Sequence, residues 1–136
     1  MTVLAQQRRA LNLVDAILVS GLASGVVRRE GRVAIIGAGA AGITAAAAFA
    51  VAAPTLDEIA LYERTDRILY LQQHSDRYLH PHLYDWPAAG ATRKDADLPI
   101  LNWEAKEAGA VAADILCKFK AIDERSKTWI SESCVL

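Results

Sequence analysis

Arg32-Val33-Ala34-Ile35-Ile36-Gly37-Ala38-Gly39-Ala40-Ala41-Gly42, continued by Ile43-Thr44-Ala45-Ala46, and later Glu58-Ile59-Ala60-Leu61-Tyr62-Glu63, is the stretch on which the fold turns. Residues 32–36 form a short, nearly continuous apolar run that stops at glycine. That pattern predicts a central parallel strand buried on both faces. Ile43 to Ala53 is rich in alanine, the best helix former, and Pro54 stops it. Residues 58–62 then predict a second strand, with Glu63 at its carboxyl end, 21 residues beyond Gly42. Strand, glycine turn, helix, strand and acid follow one another at the spacing of a βαβ unit.

Each position in the glycine turn has a physical job. Gly37 permits the tight turn off the strand. Gly39 leaves the backbone open to close approach by a pyrophosphate. Gly42 lets helix and strand pack tightly, and Ala46 extends that small face. Backbone N–H groups of Ala40 and Ala41, at the helix start, would face phosphate charge. Glu63 would accept hydrogen bonds from ribose hydroxyls and repel a 2′-phosphate, which disfavours NADP. The expected ligand is therefore a dinucleotide, FAD or NAD, both of which carry an ADP half.

Working outward, residues 3–23 predict an amphipathic helix with Leu4, Leu11, Val14, Leu18 and Leu22 on its apolar stripe. We divide the chain into this leading helix (1–26) and a dinucleotide-binding domain (30–136), joined by a polar turn at Arg28-Arg29-Glu30-Gly31. Thr65 to Pro99 lacks clear periodicity and holds all three histidines. Its aromatic residues argue against disorder. This loop leaves the carboxyl end of the second strand, so it is expected to cover the ligand, with Arg64 or Arg67 near phosphates and His or Tyr side chains near the reactive ring. An equal alternative is that Tyr78, Tyr84 and Trp86 simply pack the loop on the domain. A metal at His74, His80, His82 and Asp85 is disfavoured, because the spacing matches no zinc module. Asn102 is expected to cap a helix running to Phe119 or Lys120, with Ala105, Ala108, Ala112, Ile115, Leu116 and Phe119 inward. A third strand is expected near residues 128–130.

The bulk properties exclude several classes. The chain has 136 residues, 53% of them apolar, and a net charge of −1. That supplies one core and no basic field for nucleic acid. No run reaches the roughly 18 uninterrupted apolar residues of a membrane span. Arg8-Arg9 ahead of Ala10–Leu22 has the outline of a signal peptide, but Asn12 and Asp15 interrupt it. Cys117 and Cys134 form no CxxC pair, and a reduced, cytoplasmic setting is the simplest reading.

Residues 32–42 with Ala46 and Leu61-Tyr62-Glu63-Arg64 resemble the amino-terminal FAD-binding segment of the two-dinucleotide-binding-domain flavoproteins, the broad family of flavin monooxygenases, amine oxidases and pyridine nucleotide oxidoreductases. The resemblance covers residues 30–65. It implies an α/β fold with a Rossmann-type parallel sheet and flanking helices, here with an additional N-terminal helix and as an incomplete FAD-binding domain. It implies FAD rather than NAD, with Gly37, Gly39, Ala40, Ala41 and Gly42 on the pyrophosphate and Glu63, with Arg64 beside it, at the adenosine ribose. The glycine pair that many relatives carry after the acid is replaced by Arg64-Thr65-Asp66-Arg67-Ile68, and the absent redox cysteine pair argues against the disulfide reductases. The activity implied is that of a flavin-dependent oxidoreductase, or of a fragment or subunit of one whose site a second protein chain or a homo-oligomer completes. The alternatives are an NAD-binding regulatory module and a non-catalytic interaction subunit.

Overall fold

The computed structural model describes residues 2–21, 25, 31–85 and 87–126, and residues 129–133 as backbone. The leading helix α1 spans Val3–Ala16 and opens on Thr2, whose hydroxyl accepts the Ala5 N–H at 3.1 Å. It widens into π-helical turns over Ile17–Gly21, and residues 22 and 23 of the expected helix lie outside the described residues. Strand β1 (Arg32–Ile36) leads through the glycine turn into α2 (Ala40–Ala52), and β2 (Glu58–Tyr62) follows. Then come the single turn α3 (Tyr70–Gln73), the short strands β3 (Tyr78–Leu79) and β4 (Lys106–Glu107), the long helix α4 (Ala108–Arg125) and β5 (Trp129–Ser133). The molecule is α/β. Its main sheet has the order β1-β2-β5, with both pairings parallel. A separate antiparallel pair joins β3 to β4.

The register sets Val33 beside Ile59 and Ile35 beside Leu61 on one sheet face. Ile59 and Leu61 are fully buried there, together with Ile43, Ala46 and Ala47 of α2 and Val111, Ala112, Ile115 and Phe119 of α4. Alanines let α2 approach the strands closely, and each large apolar side chain so buried contributes about 2 kcal/mol. Among the described residues, nothing buries the other face of β1. Arg32, Ala34 and Ile36 are exposed, Ile36 to 79%. This corrects the expectation of a central strand buried on both faces. β2 is the central strand, and β1 lies at an edge of the described sheet. An unbroken apolar run shows that a strand is suited to two-sided cover, not that both covers are in place.

Asn102 does not cap the long helix. That helix begins six residues later at Ala108, with Glu107 as its N-cap residue. Asn102 instead braces the turn before it, accepting the Leu98 N–H at 3.1 Å and donating to both carboxylate oxygens of Asp95. Those bonds, with the Asp97 N–H, hold the Asp95 carboxyl below its ordinary value. Ala105 therefore lies outside α4, while Ala108, Ala112, Ile115 and Phe119 do face the core.

One buried polar group ties α1 to the domain. Gln7 is fully buried. Its amide oxygen accepts the Trp103 indole N–H at 2.8 Å, and its amide nitrogen donates to the Leu101 carbonyl at 3.2 Å. Gln7→Ala leaves the indole N–H buried without an acceptor, and is expected to cost about 2 kcal/mol in urea unfolding. Gly42→Ala is expected to cost more, about 3 kcal/mol. A Cβ at Gly42 would sit 1.8 Å from the Gly37 carbonyl oxygen, a backbone atom with nowhere to go. Unchanged stability in Gly42→Ala would rule out this packing.

Candidate functional site: the glycine turn and its acid

Three hydrogen bonds shape the glycine turn. The Gly37 N–H donates to the Tyr62 carbonyl at 2.7 Å and so continues the β1–β2 ladder one step. The Ala38 N–H donates to Glu63 Oε2 at 2.6 Å. The Ala38 carbonyl accepts the N–H of Leu69 at 3.0 Å. Leu69 is buried and adopts a left-handed conformation, φ 55°, so the loop after β2 is bent back onto the turn. Gly37 has φ 100°, a region that L side chains rarely enter, so glycine there is a backbone requirement.

Gly39 is different. Its φ is −75°, open to any residue, and a Cβ built on it meets nothing within 4 Å. It is exposed, and it is the N-cap residue of α2, which no side chain caps. The first-turn N–H groups of a helix have no intrahelical partner, and the helix dipole adds about half a positive charge there. The first turn of α2 therefore carries positive polarity with no side-chain cap.

Two adjoining cavities flank this point. One, of about 560 Å³, is lined by Gly37, Gly39, Ala41 and Gly42 from the turn and by Gln6, Arg9 and Ala10 from α1. The other, of about 320 Å³, is lined by Gly39, Ala40, Glu63, Arg64, Tyr70 and Gln6. The structure thus brings Gly37, Gly39, Ala40, Ala41, Gly42, Glu63 and Arg64 together around two hollows that share Gln6 and Gly39 in their walls. Gln6 and Arg9 were not among the residues expected from sequence. They belong to a helix outside the βαβ pattern, and only its packing reveals them. A larger groove of about 640 Å³, between α1, β1 and α2, is lined mostly by aliphatic residues and offers little chemistry.

Glu63 already has several donors of its own. Oε1 accepts the Thr65 N–H at 3.0 Å and the Thr65 hydroxyl at 3.1 Å, while Oε2 accepts Ala38. The Arg64 backbone N–H also contributes to holding the carboxylate. The Thr65 backbone N–H, then the Ala38 N–H, hold the Glu63 carboxyl below its ordinary value, against a smaller upward push from burial.

At the start of the histidine-rich loop, Arg64, Thr65 and Tyr70 line the second cavity, while the histidines bond within the loop. His82 is buried, with Nδ1 2.9 Å from Asp85 Oδ2 and Nε2 2.8 Å from the Asp95 carbonyl. His80 Nδ1 accepts the His82 N–H at 3.2 Å. His74 Nε2 lies 3.2 Å from an Arg67 guanidinium nitrogen, and Arg67 also pairs with Asp66 at 3.7 Å. Arg67 and the three histidines line neither of the two cavities. These side chains brace the loop on itself. Tyr78 donates its hydroxyl to the Ala105 carbonyl at 3.0 Å, Tyr84 is exposed, and Trp86 lies outside the described residues, as do Cys134 and most of the polar turn near Arg28. No group of three or more His, Cys, Asp or Glu able to hold a metal ion occurs among the described residues. No described helix is long and apolar enough to cross a membrane.

Comparison with protein-family models, curated proteins and solved structures found no match for this chain.

The Glu63 bonds carry a pH signature. A carboxyl whose folded pKa is depressed contributes stability that is complete above its unfolded value, near the ordinary 4.5, and that fades as pH falls through the lower folded value. Wild type is expected to exceed Glu63→Gln in unfolding free energy at pH 7, with the gap closing by pH 3. Both pH values follow from that window of about 4.5 and below. A gap of constant size across this range would mean that the Ala38 and Thr65 bonds do not depend on the Glu63 charge.

Proposed function

We propose that the chain binds the ADP half of a dinucleotide, FAD in preference to NAD, as the FAD-binding portion of a flavin-dependent oxidoreductase. Gly39 carries this reading. Gly37 answers to its φ, and Gly42 to its contact with Gly37. Neither the dihedral nor the space for a Cβ demands glycine at 39, and an N-cap position accepts glycine but is better served by Ser, Thr, Asp or Asn. A ligand that must come within touching distance of the backbone at a helix N-terminus supplies the missing reason, and a pyrophosphate is such a ligand.

The neighbouring groups fit the rest of an ADP moiety. The pyrophosphate lies over the first turn of α2, on the N–H groups of Ala40 and Ala41. The ribose hydroxyls lie against the Glu63 carboxylate, which lines the same cavity as Arg64. A glutamate held in its charged form there repels a 2′-phosphate, which favours FAD and NAD over NADP. The strand order, third-second-first with both pairings parallel, is that of one half of a Rossmann-type sheet. In such a sheet the ligand lies beyond the carboxyl ends of the strands, where Gly37 and Glu63 stand. Bound flavin would supply the electron transfer, while these residues hold and orient its adenine dinucleotide end.

A second reading has one observation behind it. The exposed apolar face of β1, with Ile36 outward, suits an interaction subunit that pairs with another chain. Ligand binding separates the two. FAD at a hundredfold excess over its dissociation constant is expected to stabilise the protein by about 2.7 kcal/mol, read as a rise in Tm. NAD is expected to bind more weakly, and NADP least. Gly39→Val is expected to fold as wild type does, because a Cβ at 39 meets nothing within 4 Å and the dihedral is ordinary, and to lose binding. Protein that stays colourless with FAD and shows no Tm shift with FAD or NAD would sink the dinucleotide reading and leave the interaction subunit. Full affinity in Gly39→Val would remove the turn as the site.

A further inference from the structure

We propose that the leading helix α1 is part of the phosphate site, with Arg9 supplying the cation for the diphosphate and Gln6 standing where phosphate and ribose meet. This inference rests on the dinucleotide reading of the glycine turn. A βαβ unit makes its phosphate contacts from its own turn and helix dipole, and that dipole amounts to only about half a charge. A diphosphate carries more negative charge than that, and Glu63 nearby is held ionised.

In this protein the hollow above the turn has a second wall. Gln6, Arg9, Ala10 and Leu13 are spaced by three, four and seven residues, which makes them one stripe of α1, and all four line the cavity that also contains Gly37, Gly39 and Gly42. Gln6 and Gly39 in addition line the adjoining cavity that holds Glu63 and Arg64. They therefore mark the junction of the two hollows. The helix is fixed in place by the buried Gln7–Trp103 and Gln7–Leu101 bonds and by the buried side chains of Leu4, Ala10 and Val14. An arginine on such a helix brings a planar, permanently charged fork that matches two phosphate oxygens at once. Arg64 serves the other hollow, so the two cations divide the ligand between them.

Arg8 provides an internal control. It is exposed like Arg9, carries the same charge one residue away, and lines neither cavity. The experiment is calorimetric titration of ADP and of adenosine into wild type, Arg9→Ala and Arg8→Ala, with circular dichroism and Tm to establish folding. Arg9→Ala is expected to weaken ADP by roughly tenfold or more, the usual size of a lost charge-assisted hydrogen bond, while adenosine stays within about twofold of wild type. Arg8→Ala is expected to match wild type for both. Wild-type ADP affinity in Arg9→Ala overturns the proposal. So does an equal loss of ADP and adenosine, which would trace the effect to helix packing, and so does an equal loss in Arg8→Ala, which would trace it to net charge. A wild type that binds none of ADP, FAD and NAD removes the dinucleotide reading itself, a result distinct from a wild type that binds ADP and ignores Arg9.

Discussion

The hydrogen bond from the Ala38 N–H to Glu63 Oε2 holds the carboxyl end of β2 to the turn leaving β1. Without it, the turn would be anchored to the second strand only by the Gly37–Tyr62 backbone bond. With it, the two strands end in register and the helix that follows starts from a fixed point. The Thr65 bonds on Oε1 then set the direction of the chain beyond Glu63, and the Leu69 N–H returns to the Ala38 carbonyl. The glycine turn is thus pinned on the side facing β2 and the loop, and left open on the side facing α1. The opening that could admit a ligand is the complement of these bonds.

The three glycines show how fold and ligand divide one motif. Gly37 is explained by its backbone dihedral, and Gly42 by a neighbour 1.8 Å from where its Cβ would be. Both would be needed in a strand-to-helix turn that bound nothing. Gly39 would not. A motif match weighs all three glycines alike, yet only the one without a structural reason speaks for a ligand. For the same reason the triple pattern alone is a weak signal, and the geometry around its middle member is a stronger one.

Much of the fold was legible in residues 32–63, because strand, turn, helix and strand each follow from local chemistry: apolar run, glycine, alanine, proline. The candidate residues at 37–42, 63 and 64 stood out for the same reason, and the structure brings them together around the turn. Errors fell where long-range packing decides. The edge position of β1 depends on which strand pairs beside it, and no residue of β1 encodes that. Asn102 looked like a helix cap because its side chain suits either a helix start or a turn, and the bond to Asp95 settled it in favour of the turn. Gln6 and Arg9 read as the polar side of an amphipathic helix. Their place above the glycine turn depends on Gln7, a polar residue seated in the core, which no apolar stripe would include.

The loop of histidines and tyrosines makes the same point from the other direction. Residue types that perform chemistry are also the types that brace irregular backbone, and segments without regular structure need such bracing most. His82 spans from Asp85 to the Asp95 carbonyl, Tyr78 reaches Ala105, and Arg67 joins Asp66 to His74. Each of these groups spends hydrogen-bonding capacity on holding the loop. Around the glycine turn the balance is reversed. The backbone there is already fixed by strand pairing and by Glu63, so the exposed glycine and the helix end are not needed to hold the chain. A site for a ligand is best sought where the backbone is fixed by other means, and in this molecule that holds at the exposed Gly39 and the first turn of α2.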